Sequence, residues 1–365
     1  MYYHLASLSN LRSLNLNFKI VTGCLHTEPP NIFPSDLLSS FHQLEQFHLK
    51  FDYCFAINDI HLQNFFRSLQ HLQNLKNFEV FLIALEISSE ALALLSRSLE
   101  KLGKLQVLNL YFPYAKPNSK ALSVFSQSIA KLIHLRSFDL LFSRSLQGGG
   151  AKSFLQQIRE VFGNNKKELR NFFSTLSGFT ILPTLRLDLS IIELSLTDCE
   201  NFSLALKELR QLKSLCLALP ALDSANDFQS LRNILSSLKE LPRLASLFLI
   251  FRQSVKHEEI GILGESLSEC RSLEHLELRF KWTEAVPKES IQNLSLRFLR
   301  SLLSLKILKI YIGGKVTYIE ELVGSGGVLK SGYLKNLDMF KIGTLVDAHN
   351  TSNPFLMFIR PPSSQ

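Results

Sequence analysis

One pattern of apolar and polar positions recurs along the chain: Leu-x-x-Leu-x-Leu-x-Phe, with close variants. It starts at Leu11, Leu44, Leu75, Leu105, Leu135, Leu182, Leu212, Leu244, Leu273, Leu305 and Leu334. Nine of the ten steps between these starts span 29–33 residues, and the step from Leu135 to Leu182 spans 47. Within the string, positions 4, 6 and 8 are apolar and alternate with 5 and 7, the period of a strand. Ahead of each string the spacing changes. Leu92, Leu95, Leu99 and Leu102 lie three, four and three apart, one face of a helix. The same face recurs at Phe125, Ile129 and Leu132, at Phe202, Leu206 and Leu209, and at Leu235, Leu238 and Leu241. Thr197-Asp198-Cys199-Glu200 reads as a capping box, and Asn58-Asp59 and Asn118-Ser119 offer N-cap oxygens. Neither element buries its apolar side alone. Stacking the units predicts an α/β solenoid, a parallel sheet under a layer of helices.

Eleven in-phase copies resemble the leucine-rich repeats of the long, ribonuclease-inhibitor-like class, over roughly Leu5 to Gly343. The resemblance implies a horseshoe of about eleven strand–helix repeats with the sheet on the concave side. Residues 1–343 are then one solenoid, and residues 344–365 a C-terminal cap, around Phe355–Ile359, and tail. The family's Asn or Cys at position 9 is missing: that position holds Lys19, Asp52, Ile83, Pro113, Ser143, Ser190, Pro220, Arg252, Lys281, Gly313 and Ile342. Position 8 is apolar in every copy except Lys341. This predicts a slightly longer strand with an apolar ladder in place of the amide ladder.

The long step places an insertion at about 143–181. It holds Gly148-Gly149-Gly150, a helical stretch at 152–162 and a second one after Lys167. Two readings stand: a functional loop, or a repeat that lost its strand. Gly148–Ser153 lacks the second glycine of a phosphate-binding loop, so it reads as a connector. The first unit has room for barely one helical turn, Leu5–Leu8. That implies a covering partner, or a longer array of which this chain is the C-terminal part.

Of 365 residues, 46% are hydrophobic and 20% charged, which suits a protein with a sizeable core and excludes a disordered chain. No apolar run reaches the ~18 residues of a membrane span, and the N-terminus lacks the pattern of a signal peptide. Cys24, Cys54, Cys199, Cys216 and Cys270 show no ligand spacing and read as reduced thiols in the cytoplasm or nucleus. Sequons at Asn201, Asn293 and Asn350 then read as chance matches.

Alternation sends positions 3, 5 and 7 to the concave face. There Phe81, Tyr111 and Leu141 fall on adjacent strands beside Glu79, Asn109 and Asp139, and Phe248 lies near Ile250. Exposed aromatic clusters with a polar rim suit protein recognition. Cys216 and His275 sit two strands apart, too far for a nucleophile and its base. Glu79 and Asp139 have no third ligand nearby. No catalytic, metal or cofactor site is expected. Position 2 carries Arg12, Lys76, Arg136, Lys213, Lys306 and Lys335 against Glu45 and Glu274, a basic rim that bears half of the chain's net +8. The expected function is a non-catalytic protein-binding scaffold or adaptor, with no membrane association. Regulation of a small GTPase or other enzyme is one alternative, and RNA binding through the basic rim is another.

Overall fold

The computed structural model describes residues 10–19, 37–52, 57–83, 85–112, 114–115, 119–141, 166–189, 194–219, 225–254, 257–281, 301–313 and 339–344. Their strands are β1 (Ser13–Lys19), β2 (Gln46–Asp52), β3 (Asn77–Ile83), β4 (Glu86–Ile87), β5 (Val107–Tyr111), β6 (Tyr114–Ala115) and β7 (Ser137–Leu141). Then follow β8 (Thr184–Asp188), β9 (Ser214–Leu219), β10 (Ser246–Ser254), β11 (His275–Lys281), β12 (Ile307–Gly313) and β13 (Met339–Thr344). Apart from the short β4–β6 pair, all of them form one open sheet of 11 strands in chain order. Every pairing is parallel. The α-helices between them are α1 (Asp59–Ser68), α2 (Ser89–Leu99), α3 (Ser119–Ala130), α4 (Lys166–Ser177), α5 (Leu196–Glu208), α6 (Ala225–Ser237) and α7 (His257–Ser268). The chain is thus an α/β protein with a single open parallel sheet and helices.

The two periodicities account for the core. Where described from β2 to β11, strand positions 4, 6 and 8 belong with the four helical rows named above to one continuous buried cluster, against which Leu14, Leu16 and Phe18 of β1 pack. Position 8 forms the expected apolar ladder: Phe51, Leu82, Phe112, Leu189, Leu219, Phe251 and Phe280 are buried. Its rings stack between strands, Phe18 on Phe51 at 5.0 Å and Phe251 on Phe280 at 5.3 Å.

Register is fixed at the strand entrances. The Arg12 carbonyl accepts the N–H groups of both Glu45 (2.8 Å) and Gln46 (3.0 Å). The same doubled bond recurs at the carbonyls of Glu45, Lys76, Gln106, Pro183, Lys213, Ala245 and Glu274. On the helical side, small hydroxyl residues tie several helices to a neighbour. Ser98 Oγ donates to the Phe66 carbonyl at 2.6 Å, Ser203 Oγ to the Asn233 carbonyl at 2.8 Å, and Ser128 Oγ to Glu100 Oε1 at 2.9 Å. The signal was present as serines recurring in the helices, such as Ser96-x-Ser98 and Ser126-x-Ser128. A hydroxyl there satisfies a neighbour's carbonyl and lets the helices approach closely.

Three expectations change in detail. The capping box of α5 uses Ser195 and Asp198, two residues ahead of the expected Thr197, with Ser195 N–H donating to Asp198 Oδ2 at 3.0 Å. At α1 the expected Asn58 cap is present: Asn58 Oδ1 accepts the His61 N–H at 3.1 Å. Across the long step no strand is inserted in the sheet, since β7 pairs directly with β8. Helix α4 packs between α3 and α5 as an ordinary member of the layer, so the surplus is confined to residues ahead of Lys166. Finally, β13 pairs Met339 with Ile307 and Phe340 with Leu308, three residues away from the expected frame. An odd shift exchanges the two faces. It gives Phe340 and Ile342 the core-side positions of Leu308 and Ile310. Lys335, Asn118, Cys24, Cys54, Leu5–Leu8, Gly148–Gly150, residues 152–162 and the cap and tail lie outside the described residues.

Candidate functional site

The sheet face away from the helices carries positions 5 and 7, and here the expectation of exposed aromatics is corrected. Phe81 and Tyr111 are each only 3% exposed and Ile250 is 6% exposed. With Cys216 and Ala218 they form a second buried apolar cluster, against which Phe248 packs half-buried. The physical reason is crowding in register. Parallel strands lie ~4.8 Å apart, so each bulky side chain has another on both flanks. The His48 ring lies 5.2 Å from Phe81, which lies 6.3 Å from Tyr111. Leu141 holds its register position opposite Tyr111, and its side chain is outside the description. As buried residues, Phe81, Tyr111 and Ile250 are packing groups, not anchors waiting for a partner.

The charges on this face pair with one another, two of them across strands and Arg279 with Glu277 along β11. His48 Nδ1 meets Glu79 Oε2 at 3.1 Å, Arg186 Nη1 meets Asp139 Oδ2 at 3.1 Å, and Arg279 Nη2 meets Glu277 Oε1 at 2.7 Å. Lys309 Nζ stands 3.9 Å from Glu277 Oε2, and the Arg279 guanidinium lies over the Tyr311 ring at 4.9 Å. Asp139 is nearly enclosed. Burial pushes its carboxyl up to about 6, against the pull of Arg186 and with the help of Glu79. Asp139 Oδ1 and, on the paired strand, Asn109 Oδ1 are buried acceptors with no hydrogen-bond partner among the described residues.

The thiol and imidazole considered for catalysis are held apart by Phe248, which pairs in register with Cys216 and packs its ring 4.7 Å from His275. Burial pushes the Cys216 thiol up to about 12, and burial together with Lys309 pushes His275 down to about 4. At neutral pH the pair is a thiol beside a neutral ring, without contact between them. Among the described residues no group of three or more His, Cys, Asp and Glu is placed to hold a metal ion.

At the strand entrances, Arg12, Arg136, Lys213 and Lys306 are exposed and Lys76 is partly so. The two rim acids are taken: Lys76 Nζ reaches Glu45 Oε2 at 2.7 Å, and Lys306 Nζ reaches Glu274 Oε2 at 2.8 Å. Sequence reasoning counted position 2 alone and missed the turn just ahead of it. There Lys104, Arg210, Arg243 and Arg271 are also exposed. Aligning the two residues between the last helical leucine and the string would have found them.

No family model matches this chain, and no curated protein matches it. Among solved structures it is similar to the yeast Rad7–Elc1 complex, at 14% identity over 81% of this chain and 79% of that one, with a TM-score of 0.30. It is also similar to the apo homocysteine methyltransferase MmuM from Escherichia coli, at 12% identity over 62% of this chain and 83% of that one, with a TM-score of 0.21. TM-scores this low say nothing of what the chain does. No helix among the described residues is long and apolar enough to cross a membrane.

Proposed function

We propose that this chain is a leucine-rich-repeat solenoid of horseshoe form that serves as a non-catalytic protein-binding scaffold or adaptor in the cytoplasm or nucleus. The observation that carries the reading is the doubled backbone hydrogen bond repeated at eight strand entrances. It locks successive repeats into one register and makes a long, rigid platform. Each repeat presents the same few side-chain positions to a partner, and rigidity lowers the ordering cost of binding. On the sheet face, His48, Lys50, Arg186 and Lys309 keep about a third or a quarter of their side chains accessible. The buried thiols Cys199, Cys216 and Cys270 suit a reducing compartment.

The test is capture from nuclease-treated lysate on the immobilised full chain, followed by mass spectrometry, beside a tag-only control and a Lys50→Glu/Lys309→Glu variant. A scaffold retains a defined set of proteins in stoichiometric amounts after nuclease treatment. Recovery of nothing above the control, or recovery that disappears with nuclease, refutes the reading.

A further inference from the structure

The net positive charge has a definite address. Six cations occupy the turns and entrances of the consecutive strands β5 to β11: Lys104, Arg136, Arg210, Lys213, Arg243 and Arg271, all exposed. No acid shares those positions until Glu274, which is paired with Lys306. At the other end, Glu45 is paired with Lys76, whose ammonium holds the Glu45 carboxyl below its ordinary range. Between these two pairs, none of the six cations forms a salt bridge among the described residues. Lys104 donates to Asn74 Oδ1 at 2.6 Å and Arg243 to Gln211 Oε1 at 2.6 Å, both neutral acceptors.

The neighbouring rows do not cancel this charge. Position 3, just inside the sheet, carries Ser, Thr, Gln, Asn, Val, Ile and the neutral His275 among the described strands. The helix ends behind the turns are balanced, with Glu100, Glu208, Glu240 and Glu269 against Lys101, Lys131, Lys207 and Lys239. The result is a cationic strip whose backbone the doubled hydrogen bonds hold in place. Five strand spacings of ~4.8 Å make it roughly 24 Å long.

Two aliphatic side chains stand in the middle of the strip. Ile133 and Ile181, on the adjacent turns that lead into β7 and β8, are 68% and 51% exposed. Four of the six cations are arginines, whose planar forks match carboxylates. We infer that this strip binds an extended acidic protein segment bearing aliphatic residues, about seven or eight residues long at ~3.3 Å each. Carboxylates pair with the arginines and a Leu- or Ile-type side chain packs on Ile133 and Ile181. A single-stranded nucleic acid is the poorer fit, because its recognition uses a series of aromatic platforms for base stacking, and these turn and entrance positions hold no Phe, Tyr or Trp among the described residues, only the imidazole of His134.

This inference rests on the scaffold reading and names its surface and partner chemistry. The probes are a fluorescent eight-residue peptide alternating Glu or Asp with Leu, its Gln/Asn counterpart, an acidic peptide with Ser in place of Leu, and a mixed-sequence single-stranded RNA. Binding is read by fluorescence anisotropy at 50 and 200 mM salt, with thermal midpoints confirming that each variant folds. The acidic–aliphatic peptide should bind the full chain more weakly at the higher salt. It should lose at least tenfold in affinity on the triple variant Arg210→Gln/Lys213→Gln/Arg243→Gln. The variant Ile133→Ser/Ile181→Ser should weaken that peptide several-fold and leave the acidic–serine peptide unchanged. No binding of the acidic–aliphatic peptide at millimolar concentration and low salt overturns the inference, as does equal binding by parent and triple variant. RNA binding tighter than peptide binding, lost in the triple variant, reassigns the strip to nucleic acid. If the triple variant still captures the parent's proteins from lysate, the strip inference fails while the scaffold reading stands. If the parent captures nothing, the scaffold reading itself fails.

Discussion

Asp139 offers a stability change whose size and sign follow from its surroundings. Its carboxyl is nearly enclosed on the sheet face, and burial raises it from 3.8 to about 6 despite Arg186 at 3.1 Å. A group raised in the folded state binds more protons there than in the unfolded chain. Stability is therefore lost as pH climbs from about 4 to about 6, and the full penalty persists above that window. The raise of about two units is worth about 3 kcal/mol at neutral pH. Asp139→Asn removes the ionisation. It also gives residue 139 an N–H donor beside Asn109 Oδ1, which is buried without a hydrogen-bond partner among the described residues. Against this, Arg186 loses its carboxylate, but its side chain keeps 29% of its surface in water. The variant should therefore be more stable than the parent by about 1–3 kcal/mol at pH 7.5. The gain should fall to about half near pH 5 and be small at pH 4. Urea unfolding of both proteins across pH 4–8 reads this directly. A variant less stable at pH 7.5, or a difference that does not change with pH, would show that Asp139 is ionised and well solvated, and would refute the enclosed-carboxyl reasoning.

Other outcomes follow from the same packing. Phe81→Ala should cost about 3 kcal/mol in urea unfolding, since Phe81 is as buried as a core residue; a cost under ~1 kcal/mol would mean the sheet face is open after all. Ser98→Ala should cost about 1 kcal/mol by removing one of the two donors to the Phe66 carbonyl, which keeps only the Leu69 N–H. A thermal midpoint equal to the parent's would remove the serine seam as a stabilising feature. Cys216 and Cys270, both pushed up to about 12 by burial, should resist iodoacetamide at pH 8 and react fully in urea, as read by peptide mass spectrometry. Rapid native alkylation of Cys216 would contradict the second buried cluster.

The repeat, the kind of each element and the side of each element that faces the core are legible along the chain. Those follow from two local periods, 2 and 3.6, which neighbouring residues impose on one another. Leu92, Leu95 and Leu99, or Leu108, Leu110 and Phe112, are buried because their spacing allows nothing else. Crowding, pairing and frame at the ends emerge only when the strands stand side by side. Alternation says that Phe81 and Tyr111 leave the main core. It does not say that His48 and each other's rings, brought together from strands some 30 residues apart, shut out water. The shift of three residues in β13 was likewise invisible, because Leu334 and Leu337 offer two starts of equal local quality and only pairing with β12 selects between them. The rim was half legible. Position 2 showed its lysines and arginines, but which of them are neutralised depends on Glu45 and Glu274, one repeat away in each case. Side-chain spacing within a repeat is set by local geometry. Neutralisation and burial are set by what the next repeat brings alongside, about 30 residues away in the sequence and one strand away in space.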